Sequence, residues 1–376
     1  MIRTASFTAE DFARRVLRWG KRSGRHGLPW QGTRDPYRIW LAEVMLQQTR
    51  VDTVIPYYLR FLARFPDLAS LARASLEEVL GLWSGLGYYA RARKLHEAAR
   101  RIVQEHGGRF PRGAAGIALL PGLGRSSAAA IAAFAFGERA AILDGNVRRV
   151  LCRAYGIEGY PGRPEVARRL WALTERLTPA RQVGAYTQAL MDLGATVCVR
   201  ARPACERCPL APGCVAAIEG RSGELPAPRP RSARPERTSR MLVLLDGDRV
   251  MLERRPPAGI WGGLLCLPEL PEAAAPGPFC SARLGCGIGA PQPLPAIRHG
   301  FTHLRLVIEP LLARVETRTP RCAQDGLVWL APGELARAGL PAPIRRLLAQ
   351  LPQLSSRPPA APPLRPLPES APPRAH

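Results

Sequence analysis

From residue 8 to residue 194 the apolar positions fall in blocks that fit one face of a helix, separated by short polar, glycine or proline breaks. The blocks predict helices over 8–20, 35–49, 50–65, 68–73, 75–83, 89–106, 114–118, 146–155, 164–177 and 183–194, with a further helix opening at Arg125. Thr8 with Asp11 fits the cap of the first. The block beginning Asp35-Pro36-Tyr37 is apolar on almost every side and has proline near its start, which describes a helix buried all round. After residue 238 the pattern changes. Residues 240–245, 246–248 and 249–255 read as strand, tight turn and strand, 306–312 and 327–330 as further strands, and 343–351 as a closing helix. The organisation expected is a mostly α region over 1–220, a Pro- and Arg-rich extended connector over 221–237, an α+β domain over 238–351, and a disordered Pro-rich tail over 352–376.

Three places in the helical half carry candidate chemistry. In Leu120-Pro121-Gly122-Leu123-Gly124, followed by Arg125-Ser126-Ser127, two helices are expected to meet at a glycine hairpin. Gly122 and Gly124 can take backbone angles closed to other residues and leave the N–H groups at the helix start uncovered, a seat for a phosphate oxygen. Twenty residues on, Asp144 stands alone after apolar and small residues; the plain alternative is a helix–turn–helix in which it is only an N-cap. Glu43 lies in the middle of the all-apolar helix, where lost hydration raises a carboxyl pKa and keeps the acid protonated, unless an arginine pairs with it. A second glycine turn, Gly85-Leu86-Gly87-Tyr88-Tyr89, precedes Arg91, Arg93 and Lys94. A tyrosine there could wedge between bases while the arginines hold phosphates, or simply pack.

The formal charge of +24 over 376 residues makes an anionic partner the expectation, nucleic acid before acidic membrane. Lys21 and Lys94 are the only lysines, and the surplus of arginine with Ala, Gly and Pro also reflects the bias of a GC-rich genome. No apolar run reaches the roughly 18 residues that span a bilayer, and the first residues lack an apolar signal core and include Glu10 and Asp11. A soluble, cytoplasmic protein with no membrane partner is expected, so the nine cysteines are not read as a disulfide framework. Cys198, Cys205, Cys208 and Cys214 follow the spacing C-x6-C-x2-C-x5-C beside Arg200, Arg202 and Arg207. Such a group holds zinc or an iron–sulfur cluster. Zinc ribbons pair two C-x2-C knuckles where this chain has one, and the compact interval suits a [4Fe–4S] cubane.

Glu43 in Glu43-Val44-Met45-Leu46-Gln47-Gln48-Thr49, the hairpin, Asp144 in Asp144-Gly145-Asn146 and the four cysteines follow the order found in the helix–hairpin–helix glycosylase superfamily. Within it, residues 8 to 350 resemble the MutY-type adenine DNA glycosylases. The resemblance implies a two-lobed helical region with a DNA groove, a [4Fe–4S] cluster on the four cysteines, and removal of adenine mispaired with 8-oxoguanine or guanine in double-stranded DNA by a monomer associated with the bacterial nucleoid. It implies that Glu43 protonates N7 of adenine and Asp144 stays ionised beside the sugar cation, roles that suit the two carboxylates such a bond cleavage needs. It implies that Trp30, Gln31, Leu46, Ser126, Asn146 and Asp192 surround the extruded adenine, and that Gln48, Thr49, Leu86, Tyr88 and the hairpin glycines meet the opposite base and backbone. Endonuclease III-like members that cut the strand carry a lysine in the hairpin where this chain has Ser126, so a monofunctional enzyme is expected rather than a pyrimidine glycosylase of that kind.

Residues 255–269 resemble the Nudix-like C-terminal domain of MutY proteins. A Nudix hydrolase needs clustered glutamates on a helix to hold magnesium, and from Pro268 to Pro291 only Glu269 and Glu272 occur. The domain is therefore expected to read the lesion, with Phe301-Thr302-His303 standing where the family has Phe-Ser-His. A non-catalytic DNA-binding protein using the same scaffold is the remaining alternative.

Overall fold

The structure, a computed structural model, describes residues 7–230, 234–257, 259–301, 303–319, 326–335 and 338–350. Thr302 and the tail expected from residue 352 lie outside the described residues. The chain forms two units, one made of the described residues of Met1–Ala233, Pro257–Leu264 and Arg337–Gly339, the other of those of Arg234–Pro256, Leu265–Ala336 and Leu340–His376.

The first unit is helical. It contains α1 (Ala9–Ser23), α2 (Pro36–Leu46), α3 (Val51–Arg64), α4 (Leu68–Arg73), α5 (Leu76–Trp83), α6 (Ala90–His106), α7 (Ala114–Ala118), α8 (Arg125–Phe136), α9 (Gly145–Tyr155), α10 (Pro164–Leu177) and α11 (Val183–Asp192). Local chemistry sets their ends. The Thr8 hydroxyl accepts from the Asp11 N–H at 3.1 Å, and Asp35 accepts from the Tyr37 N–H at 2.9 Å with Pro36 in the first turn, where no intrahelical bond is lost. Left-handed Gly107, Gly137 and Gly156 end α6, α8 and α9. As the sequence predicts, α2 is buried on most sides, through Tyr37, Ile39, Trp40, Leu41, Ala42, Val44 and Met45.

One apolar core joins Phe12 and Val16 of α1 to Ala129 of α8, Val147 and Leu151 of α9, Leu170 of α10 and Leu190 of α11. Around α2, α3 and α5 the filling is aromatic: Phe61 meets Phe65 at 5.0 Å and Trp83 at 6.1 Å, and Trp40 meets Phe110 at 5.6 Å. Burying one such ring contributes on the order of 2–3 kcal/mol, so α2 is held rigidly. That rigidity matters because α2 carries Glu43.

The second unit is built on a sheet of β1 (Glu236–Asp246), β2 (Arg249–Arg254), β3 (Leu265–Cys266), β4 (Glu269–Leu270), β5 (Cys286–Ile288), β6 (Gln292–Pro293), β7 (Ile297–Gly300), β8 (Arg305–Arg318) and β9 (Leu327–Leu330). The order is β3-β2-β1-β8-β5, with β4 also on β1, β6 and β7 on β8, and β9 on β2. β1 and β8 run parallel from Glu236 opposite Arg305 to Leu245 opposite Arg314. The helical stretch after β4, Pro276–Phe279 and Cys280–Leu284, carries no glutamate; Cys280 and Leu284 pack with Leu242, Leu244 and Met251 in the core. Helix Ala342–Ala349 closes the described chain. The unit is α+β as the pattern predicts, though the short strands β3 to β7 lack any periodic signal.

Candidate active site

α2 brings Glu43 to the wall of a cavity of about 690 Å³, shared with Lys21, Arg25, Trp30, Gln31, Gln188 and Asp192. Part of Glu43 remains open to solvent. The carboxyl is nonetheless deep, because that opening faces a concave space walled by protein. Desolvation first, and the negative charge of Asp144 second, push its pKa up to about 8. No cation is among the charges acting on it, so the ion-pair alternative does not describe this site. Near neutral pH Glu43 is mainly a protonated acid.

Asp144 caps α9. Its Oδ1 accepts from the Val147 N–H at 2.7 Å and its Oδ2 from the Asn146 side-chain amide at 3.4 Å. Burial is the largest influence and raises its pKa, against the N–H groups of Val147 and Asn146 and the charge of Arg149, which act downward. Both acids are desolvated, and Asp144 differs from Glu43 in having donors. The Ser126 hydroxyl accepts from the Leu143 N–H at 3.0 Å, fixing the approach to Asp144 from the start of α8. Arg149 bonds Asn146 Oδ1 at 2.8 Å and the carbonyls of Gly194 and Cys198, each at 2.6 Å. The turn that carries Asp144 is thereby tied to the cysteine loop.

Trp30, Gln31 and Asp192 line the Glu43 cavity; Asp144, Leu46, Ser126 and Asn146 are not in its wall. Trp30 is buried edge-on to Tyr58 at 5.3 Å. Gln31 is committed to its own loop, donating to the Arg25 carbonyl at 2.9 Å and accepting from the Leu28 N–H at 3.0 Å. Asp192 is buried and paired with Arg25 at 2.6 Å. Both lysines come close to these features in space. Lys21 lines the cavity, and the Lys94 stem packs on the hairpin, with a Cβ added at Gly122 falling 2.7 Å from Lys94 Cβ. Sequence distance hid both, since helix packing brings them in. The Lys94 amine pairs with Glu97 at 2.8 Å.

Gly122 has φ +80°, as expected, but Gly124 has φ −95°, open to any residue. What Gly124 offers is bareness: no atom lies within 4 Å of a Cβ built there, and no side chain caps α8. The N–H groups at the start of α8 stay accessible to an anion.

Gln48 and Tyr88 are exposed, Thr49 is half-buried, and Leu86, expected at the opposite base, is buried. The expectation that Arg91 and Arg93 hold phosphates is also corrected. Arg91 turns inward onto backbone carbonyls, and Arg93 donates to the Gly262 carbonyl. His303 is exposed in the β7–β8 hairpin, its ring 5.8 Å from Phe301.

Cys198, Cys205, Cys208 and Cys214 line one small apolar pocket. Among the described residues no three His, Cys, Asp or Glu gather closely enough for a single metal ion. Tetrahedral zinc draws its four sulfurs to about 4 Å from one another, whereas a cubane binds each thiolate to a different iron and spaces them more widely. Arg153, buried, donates to Cys198 Sγ at 3.4 Å. Burial pushes the Cys208 thiol up to about 12, and those of Cys205 and Cys214 upward. The donor set and its cation fit a cluster of net negative charge.

Residues 41–176 match the HhH-GPD superfamily of base excision DNA repair proteins, and 240–350 match the NUDIX domain. An adenine DNA glycosylase of Buchnera aphidicola is 33% identical over 338 residues, covering 90% of this chain and 96% of the relative. That of Mus musculus is 35% identical over 401 residues, covering 89% and 77%. A solved thermostable thymine-DNA glycosylase superposes with a TM-score of 0.50 at 30% identity, over 56% of this chain and 97% of its own. With such identity along nearly its whole length, the chain belongs to the adenine DNA glycosylase family.

Proposed function

We propose that the protein removes adenine mispaired with 8-oxoguanine or guanine from duplex DNA by hydrolysing the N-glycosidic bond, as a monomer. The names of its relatives support adenine and DNA; the observation that carries the mechanism is Glu43 in the wall of the cavity, desolvated and in the field of Asp144, with no cation among the charges acting on it. Glu43 donates its proton to N7 of an adenine swung into the cavity. The C1′–N9 bond then breaks with its electron pair leaving on the base, and an anionic Asp144 stabilises the positive sugar. Water adds to C1′ and its proton returns to the carboxylate left on Glu43. A positioned acid of this kind contributes about 10²–10⁴ in rate. The base must first leave the stack at a cost of a few kcal/mol, which backbone contacts to the bare start of α8 and an inserted Tyr88 offset.

Cys198, Cys205, Cys208 and Cys214 would hold a [4Fe–4S] cluster, whose bonds would brace the loop on which Arg149 anchors the Asp144 turn. In the second unit Glu269 and Glu272 are too few for a magnesium site, and we assign the β7–β8 hairpin with Thr302 and His303 to reading the opposite base. Lys21 in the cavity wall supports a second reading, a bifunctional enzyme whose amine attacks C1′. Base release from duplexes with adenine opposite 8-oxoguanine, guanine or thymine, with and without alkali, tests both. Release without strand breaks until alkali is the expected result. Breaks before alkali, or covalent trapping by borohydride lost in Lys21→Ala, would favour the second reading.

A further inference from the structure

Two residues facing outward from the helical unit sit in the left-handed region that side chains disfavour: Gln48 at φ +58° and Tyr88 at φ +49°. Each costs on the order of 1–2 kcal/mol unless something holds it. They are forty residues apart in sequence, yet the same guanidinium holds the peptide before each. Arg91 donates to the Gln47 carbonyl at 2.6 Å and to the Gly87 carbonyl at 3.2 Å. It also bonds Thr49 Oγ1 at 3.1 Å and the carbonyls of Val44 and Met45 at 2.9 and 2.8 Å, in the last turn of α2. Those carbonyls have no helical partner of their own, and a cation at a helix C-terminus is favourable. The guanidinium lies 5.5 Å from the Trp83 ring and 5.4 Å from that of Tyr88. Desolvation lowers its pKa to about 10, leaving it charged at neutral pH.

We propose that Arg91 is a positioning residue that presets Gln48 and Tyr88 together and links both to the end of the helix carrying Glu43, so that contact with the opposite base is felt at the acid. Only a planar fork with several donors can do this. Lysine keeps the charge but concentrates it on one nitrogen, and methionine keeps the stem alone.

The kinetic part rests on the proposed glycosylase activity; the structural part does not. By hydrogen–deuterium exchange on the full-length protein without DNA, Arg91→Lys and Arg91→Met should raise exchange at 47–50 and 85–88 together, by tenfold or more, with α1 and α10 unchanged. Exchange gained in one segment only, in neither, or throughout the unit overturns the linkage. In single-turnover release of adenine, Arg91→Lys should slow the reaction opposite 8-oxoguanine at least tenfold but opposite a tetrahydrofuran abasic analogue less than threefold. Equal slowing on both duplexes, or none, overturns the transmission to Glu43. If the wild-type protein releases no adenine from either duplex, the glycosylase reading has failed and the exchange result still decides the linkage.

Discussion

Glu43 in the helical unit and Glu269 in the sheet unit are both withdrawn from water, yet they end in opposite states. Glu43 has no cation acting on it, and desolvation with the charge of Asp144 lifts its pKa to about 8. At Glu269 desolvation also acts upward, but hydrogen bonds from Arg255 and Ser239 and the charges of Arg255 and Arg237 outweigh it and hold the carboxyl below its usual range. Arg255 bonds it at 2.7 Å, Arg237 and Ser239 each at 2.9 Å. Burial alone therefore does not make an acid chemically useful. Withholding the cation does, and in a chain with 54 basic residues that is a specific arrangement.

The sharpest way to break this contrast is to remove the proton donor. Glu43→Gln keeps the shape and loses the acid, and single-turnover adenine release should fall by about 10²–10⁴ while duplex affinity stays within a few fold. Unchanged release would end the assignment. Asp144→Asn retains an N-cap for α9 and should cost about 10²–10³ through the lost charge.

The pH profile separates the two carboxylates next. If the protonated form of Glu43 reacts, release is level below about pH 8 and falls tenfold per unit above it, with the midpoint at the raised pKa. The sign for stability follows. The folded state holds this proton more tightly than the unfolded chain, so the contribution is full below the unfolded value near 4.5 and is lost as pH rises through about 8. Glu43→Gln should accordingly resist urea better than wild type at pH 9, and less distinctly at pH 5. Release that falls off already above about pH 5 would contradict the raised pKa.

Much of this was legible in the chain. The helices follow from apolar spacing and from caps such as Thr8 and Asp35, and Glu43 stood out because a carboxylate interrupts an otherwise apolar helix. The short strands β3 to β7 are not, since two to four residues cannot display a period, and the parallel pairing of β1 with β8 joins residues 69 positions apart. The direction of Arg91 is not legible, for a different reason. Its partners are almost all main-chain carbonyls, which any sequence possesses, so nothing in the residue pattern marks the direction it turns.

Gly122 and Gly124 allow a smaller, local test. At Gly122 a Cβ would meet Lys94 at 2.7 Å and the residue holds φ +80°, so Gly122→Ala should destabilise the helical unit by about 1–3 kcal/mol. At Gly124 neither penalty exists, and Gly124→Ala should change stability by less than about 1 kcal/mol. Any weakening of duplex binding in Gly124→Ala then reports a backbone contact at the start of α8, and such weakening should shrink as salt rises.

The smallest effect belongs to Glu269, and it checks the other half of the contrast. Its pKa lies below the usual carboxylate range, so its stabilising contribution is present above the unfolded value and disappears as pH falls through the lower folded one. Arg237 is more than half exposed, and solvent screens that pair; Arg255 is better shielded. Glu269→Gln should therefore cost only about 1 kcal/mol in urea unfolding at pH 7, a difference that shrinks as pH falls below the unfolded value, and should leave adenine release unchanged. A stability gap that does not shrink on acidification would mean that the side chain acts by packing rather than by charge, and a loss of release would show that this carboxylate takes part in the chemistry.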